Sequence, residues 1–169
     1  MFLWQNRGTI QVLAVIVLTI VSWRRGAAPE RATALVLLGM TIITWIYRLL
    51  QFSSLPDTFM GGFFETNAVY VAIDSVALTS LIFIAIQANR GYPIWIAGFQ
   101  ITATMMHFVN EIAKAQAPFA YALLNVLPFY FMMGSQAWGL IAHMRRVKRL
   151  GSYPSWRKSF DPSREMRPK

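Results

Sequence analysis

The chain has 169 residues, of which 56% are hydrophobic and 14% charged, and its mean hydropathy is +0.43. So little charge cannot cover a soluble domain of this length, and the apolar residues lie in long runs, so the composition indicates a protein embedded in lipid. The complete lack of cysteine excludes disulfides, iron–sulfur clusters, thiolate zinc and covalent haem attachment.

Five apolar stretches are long enough to cross a bilayer, which takes about 20 residues at about 1.5 Å of rise each. In chain order, the predicted spans cover residues 3–23, 32–50, 68–88, 94–112 and 119–142. Connections with turn-forming residues separate them. Because lipid offers no partner to an open strand edge, the spans must be helical. The sequence therefore predicts an all-α fold, a polytopic transmembrane helix bundle formed by residues 1–144.

The distribution of positive charge predicts the orientation of this bundle. Cationic loops are hard to translocate, so Lys and Arg accumulate on the cytoplasmic side. With the amino terminus outside and the carboxyl terminus inside, thirteen of the sixteen basic residues fall inside. Arg24 and Arg25 follow the first apolar run, which is the reverse of a cleaved secretory signal. We expect an uncleaved first span with its amino terminus outside.

The last segment, residues 145–169, is predicted to be a disordered cytoplasmic tail with nine basic residues and two acidic ones. A net charge of +9 is also common in nucleic-acid-binding proteins. Here, however, the basic residues lie at span ends and in the tail, as membrane insertion requires, so no nucleic-acid partner is expected. The tail should instead be drawn to anionic lipid headgroups, at about 1 kcal/mol per nearby cation.

One carboxylate lies inside the third span. Asp74 is about 9 Å below the predicted outer boundary, since it follows residue 68 by six residues at about 1.5 Å each. A charged residue at the centre of a span costs about 2.5 to 3.5 kcal/mol to insert, so such residues mark candidate sites. Other spans bring polar residues to a similar depth. The predicted intramembrane polar cluster consists of Asp74, Arg48, His107, Glu111 and Asn125.

Helical spacing also predicts which faces point inward. The predicted inward face of the fourth span carries Gln100, Ala103, Thr104, His107, Glu111 and Lys114. That of the fifth is a stripe of small and polar residues, Asn125, Pro128, Met132, Gln136, Gly139 and His143.

Arg48 is the expected partner of Asp74, and His107 with Glu111 would complete the network. A purely structural interpretation also remains. Interhelical hydrogen bonds lock helices together at about 0.6 kcal/mol each, and the long side chains of Arg48 and Glu111 are close enough to the boundary to reach the headgroups.

His107 and Glu111 are four residues apart, so both could ligate a metal from one helix face. A closed site needs more ligands, and the other histidine, His143, lies near the opposite boundary, so no metal is expected. Ala103 and Gly139 precede the two histidines by four positions and leave room for a cofactor ring. Because the histidines lie at opposite ends, they cannot clamp one haem, and no cofactor is expected.

The segments "ANRGYPIWIAGFQITATMMHFVNEI", "APFAYAL" and "WGLIAHMRRVKR" resemble small multi-spanning inner-membrane proteins of the sphingomonad type in alphaproteobacteria. The resemblance extends over about residues 70–149. It implies a bacterial inner (plasma) membrane protein and supplies no catalytic residues, because no activity is assigned to that group.

Three functions remain open, and no motif in the sequence selects a reaction. The first is a non-enzymatic accessory or assembly subunit of a larger membrane complex, favoured by the small size and short connections. The second is a small proton-linked transporter or channel that uses Asp74, acting as a homo-oligomer. The third is a lipid- or quinone-modifying enzyme in which His107 is the base and Glu111 orients it.

Overall fold

The computed structural model describes the backbone of residues 7–54, 68–113, 118–151 and 155–157, and the side chains of residues 8–50, 68–108, 126–151 and 155–157. This part of the chain is all-helical, as predicted, and each predicted span falls on one helix. The helices are α1 (Arg7–Arg25), α2 (Ala28–Ser54), α3 (Ala68–Gln87), α4 (Tyr92–Ala113) and α5 (Pro118–Leu150).

Three of these helices are long and apolar enough to cross a membrane. The qualifying segments are Gly8–Arg25, Ala28–Leu50 and Ala68–Gln87. Few of their side chains are buried inside the bundle, and large apolar ones such as Leu13 and Phe83 are exposed. Apolar side chains on the outside of a bundle need an apolar solvent, which supports a lipid environment. Within the described residues of α4 and α5, no segment reaches the same length and hydropathy.

The turn between α1 and α2 is shorter than the predicted connection over residues 24–31, because only Gly26 and Ala27 lie outside the helices. Two features allow α2 to begin so early. Pro29 fits the first turn of a helix, where its missing N–H costs nothing. The Glu30 carboxylate accepts a hydrogen bond from the backbone N–H of Ala27 at 3.1 Å, as the acidic residue of a capping box does. A Cβ at Gly26 would lie 2.7 Å from that of Glu30, so the turn needs glycine.

The five helices pack side by side, each against its neighbours in the chain. The most extensive interface joins α4 to α5, while α5 also returns to contact α1 and α2. The apolar core lies in the middle of the bundle and is built from buried side chains of all five helices. Its members are Val15, Leu37, Leu81, Tyr92, Ile96, Ala97, Met132 and Met133.

Helix α5 runs eight residues past the predicted end of the fifth span, into the segment predicted as a disordered tail. It ends where Gly151 adopts a left-handed φ of 71° and donates a backbone hydrogen bond to Val147 O at 3.0 Å. Further on, Trp156 forms an antiparallel bridge with Ala88, and Arg157 N donates to Gln87 O at 2.7 Å. Part of the tail segment is therefore ordered against the end of α3.

Candidate functional site

The centre of the predicted polar cluster is a pair formed by Asp74 on α3 and His107 on α4. His107 Nε2 lies 2.8 Å from Asp74 Oδ2, which is hydrogen-bond distance. The two side chains are only 19% and 16% exposed. The spacing of polar residues on the fourth span indicated that His107 faces inward, and the contact explains how Asp74 is accommodated among apolar helices. A partner within the bundle lowers the cost of a buried carboxyl group.

Arg48, the expected partner of Asp74, is not its ion-pair partner. The Arg48 side chain is exposed, and among the described side chains the one within ion-pair distance of Asp74 is His107. Beside Arg48, the ring of Tyr47 packs edge-on against Tyr70 with centroids 5.3 Å apart. Arg48 lies near the end of α2, from which a long side chain can reach the headgroup layer.

For the two remaining members of the predicted cluster, membership stays a prediction. Glu111 and Asn125 lie within α4 and α5, but their side chains are outside the described residues.

Gln100 extends the polar face of α4 about two turns below His107. It is fully buried, and its Nε2 donates to the backbone oxygen of Asp74 at 3.3 Å. Its Oε1 has no hydrogen-bond partner among the described residues. Through Nε2, Gln100 ties α4 to the backbone of α3 at the residue that carries the Asp74 carboxyl group.

A second and more deeply buried polar cluster lies at the opposite end of the bundle. Its centre is Gln136 on α5, which is fully buried. Gln136 Oε1 accepts a hydrogen bond from the Thr33 hydroxyl at 2.6 Å. Gln136 Nε2 donates to the backbone oxygen of Glu30 at 2.9 Å and to Ser22 Oγ at 3.2 Å. One side chain thus joins α5 to α1 and α2. The Glu30 cluster comprises Ser22, Glu30, Thr33, Arg90, Tyr92, Gln136 and His143.

The charged members of the Glu30 cluster neutralise each other inside the bundle. Arg90, in the turn between α3 and α4, places Nε 3.1 Å from Glu30 Oε1, and the two side chains are 5% and 0% exposed. Arg90 Nη1 donates to His143 Nδ1 at 2.9 Å. A guanidinium only donates, so Nδ1 is the acceptor and His143 is the neutral tautomer protonated at Nε2.

The pKa of His143, one residue beyond the predicted fifth span, fits this assignment. Burial lowers its pKa below the ordinary value of 6.5. The Glu30 carboxylate opposes that effect, while the positive charges of Arg90 and Arg146 reinforce it. His143 is therefore held in the form that accepts a hydrogen bond.

The apolar core separates the two polar regions. Leu81 and Ile96 are fully buried between them, on the same helices that carry Asp74 and His107. Among the described residues, no continuous row of polar side chains links one end of the bundle to the other. In this conformation the two regions are separate sites.

Sequence reasoning missed Glu30 and Arg90 because both were placed in connections and not in helices. One signal was present for Glu30: it follows Pro29 by one residue, at the position from which an acidic side chain caps a helix. No local signal identifies Arg90 as buried, since its partner is 60 residues away in the chain. By contrast, the polar stripe predicted on the fifth span correctly placed Gln136 and His143 on an inward face.

The space that Gly139 leaves beside His143 is filled by the protein itself. A Cβ at Gly139 would overlap the ring of Tyr92, so this glycine lets Tyr92 lie against the α5 backbone. The ring-sized gap predicted from the sequence thus holds a side chain of α4. Within the described ranges, no three His, Asp or Glu side chains approach closely enough to hold a metal ion.

Comparison with protein-family models, with curated proteins and with solved structures found no significant match to this chain.

Proposed function

We propose that the chain is a five-span protein of the bacterial inner membrane, with its amino terminus outside and its carboxyl terminus inside, and that it serves as a non-enzymatic accessory or assembly subunit of a membrane complex. The bias of positive charge supports the orientation. The resemblance to sphingomonad-type membrane proteins supports the bacterial inner membrane.

The observation that supports the accessory role is that the polar and charged side chains of the Glu30 cluster pair with one another inside the bundle. Gln136 bonds across three helices, and the charges of Glu30 and Arg90 face each other away from solvent. Such a network rigidifies a bundle and specifies one packing arrangement. A rigid bundle with apolar outer faces is suited to pack against other membrane helices, whereas a transporter must rearrange its helices around a bound substrate.

The test is to purify the tagged full-length chain in a mild detergent and identify what accompanies it. We expect a defined membrane protein in a constant ratio to the chain, and loss of that partner's complex when the gene is deleted. An unrelated multi-pass protein with the same tag and expression level is the control for hydrophobic carry-over. A chain that purifies alone, from cells whose other membrane complexes survive its deletion, would contradict the proposal.

The Asp74–His107 pair favours a second candidate, a proton-linked transporter or channel that acts as a homo-oligomer. Carboxyl and imidazole side chains are the groups that commonly form proton relays inside membrane proteins, and here His107 Nε2 lies 2.8 Å from Asp74 Oδ2. Asp74→Asn removes the carboxyl group while keeping the side-chain volume. In reconstituted vesicles this variant should abolish proton flux, while Ser75→Ala, which alters an exposed neighbour, should not. Equal flux from the natural chain and Asp74→Asn would eliminate this candidate.

A further inference from the structure

A groove runs along the outer face of the α4–α5 interface. It consists of two adjoining cavities of about 240 and 290 Å³. Three aromatic residues, Tyr92, Trp95 and Trp138, line both cavities and make them continuous. Trp95 and Trp138 are 67% and 66% exposed, so the groove opens sideways from the bundle. Neither polar site described above accounts for it.

One end of the groove is basic. Arg90, His143 and Arg146 line the larger cavity, and it has no acidic lining residue. Arg90 is neutralised by Glu30 and orients His143, so both are held in place. Arg146 is exposed and places a positively charged side chain in the lining at the mouth. This end is therefore suited to an anion.

The other end of the groove is apolar. Its wall is the stacked pair Phe99 and Phe131, whose ring centroids are 5.1 Å apart. Its floor includes Gly134, where an added Cβ would meet no atom within 4 Å. The glycine thus leaves open space beside aromatic rings, a shape that accepts a hydrocarbon chain.

We propose that this groove binds one anionic phospholipid, with the phosphate headgroup at Arg146 and one acyl chain along Phe99, Phe131 and Gly134. The length of the groove matches the length of a phospholipid in one leaflet. Phe131 and Arg146, at its two ends, are fifteen residues apart on α5, about 22 Å at 1.5 Å per residue. One leaflet with its headgroups is about 20 to 22 Å thick. Trp95 and Trp138 lie between the two ends, and tryptophan favours the boundary between headgroups and hydrocarbon.

Charge complementarity selects an anionic lipid over other occupants. A zwitterionic lipid has no net charge to match Arg146, and free phosphate would leave the apolar end unfilled. The inference depends on the membrane placement proposed above, which puts α4 and α5 in the bilayer. It does not depend on the accessory role, because a lipid site can exist in a subunit or in a transporter.

The test is native mass spectrometry of the purified full-length protein with phosphatidylglycerol, with phosphatidylcholine of the same acyl chains, and with inorganic phosphate. We expect retention of one phosphatidylglycerol in preference to phosphatidylcholine, and no retained phosphate ion. Arg146→Gln should weaken phosphatidylglycerol binding about five-fold, the effect of one cation near a headgroup. Arg145→Gln is the matched control, because Arg145 is exposed on the same turn but does not line the groove.

The apolar end has its own pair of variants. Gly134→Leu fills open space inside the groove, while Gly98→Leu fills open space on an exposed face of α4 outside it. Gly134→Leu should lose the bound phosphatidylglycerol and Gly98→Leu should retain it, with both variants eluting as the natural protein does. Equal binding of the two lipids, equal losses for Arg145→Gln and Arg146→Gln, or binding of phosphate alone would overturn the proposal. None of these results bears on whether the chain purifies with a protein partner.

Discussion

At the scale of single residues, Glu30 joins three parts of the molecule, although the sequence pattern did not single it out. One carboxylate oxygen caps α2 through the backbone of Ala27, and the other faces the guanidinium of Arg90. Its backbone oxygen accepts a hydrogen bond from Gln136. A fully buried acid is stable only if all these contacts are made together, because an unpaired charge in the interior is expensive.

Removing both partners of this ion pair should therefore cost less than the two single losses added together. We expect Glu30→Gln to destabilise the protein by about 3 kcal/mol, since it leaves the charge of Arg90 without its carboxylate. The double variant Glu30→Gln with Arg90→Gln should lose less than the sum of the two single variants. Detergent unfolding followed by tryptophan fluorescence measures this, with Arg24→Gln at an exposed site as the control. Additive losses would mean that the two side chains do not interact energetically.

At the scale of elements, the α4–α5 interface depends on small residues of α5. Gly139 is buried and lets the Tyr92 ring lie against the helix, while Gln136 and Met132 fill the same face about one and two turns earlier. Close approach at glycine is a common way to pack membrane helices, because lipid supplies no hydrophobic force to hold them together. The helical spacing on the fifth span predicted this stripe of small and polar residues, but not that Tyr92 occupies the gap.

Gly139→Ala should force the Tyr92 ring outward and destabilise the bundle by about 1 to 3 kcal/mol, as overpacking does. Gly98→Ala is the matched control, because its Cβ enters open space on an exposed face. Tyr92→Leu, which shortens the side chain, should recover part of the loss when combined with Gly139→Ala. The measurement is the unfolding midpoint in detergent. If the Gly139→Ala protein were as stable as the Gly98→Ala protein, the Tyr92 ring would have an alternative conformation without loss of stability, and the prediction would be wrong.

At the scale of the whole molecule, the number of crossings is the main prediction still to be tested. Three helices are long and apolar enough to cross a membrane. Five crossings require that α4 and α5 also span the bilayer, with their polar faces turned toward the inside of the bundle. The burial of Gln100, Thr104 and Gln136 supports that arrangement, because it leaves mainly apolar side chains on the outer faces of α4 and α5. Polar residues inside such a bundle lower the mean hydropathy of a helix without preventing it from crossing.

The natural chain has no cysteine, so single cysteines can map its topology directly. With five spans and the amino terminus outside, Asp57→Cys and Lys114→Cys should react with an impermeant maleimide added from the periplasmic side. Arg25→Cys and Arg145→Cys should react only after the membrane is opened. Lys114→Cys separates the alternatives, because it would be labelled from inside if only α1, α2 and α3 crossed the bilayer. Each variant should first be shown to reach the membrane in normal amounts.

Composition and apolar run length by themselves determined the class of protein and the positions of its helices, because a lipid solvent demands long apolar segments whose backbone bonds are satisfied within each helix. Helical spacing also identified the inward faces that carry His107 and Gln136. Only the tertiary structure decided the partners: Asp74 meets His107 and not Arg48, and Glu30 meets Arg90 across 60 residues of chain. Spacing assigns a residue to one face of its own helix, whereas the packing of helices against one another selects the residue that lies opposite.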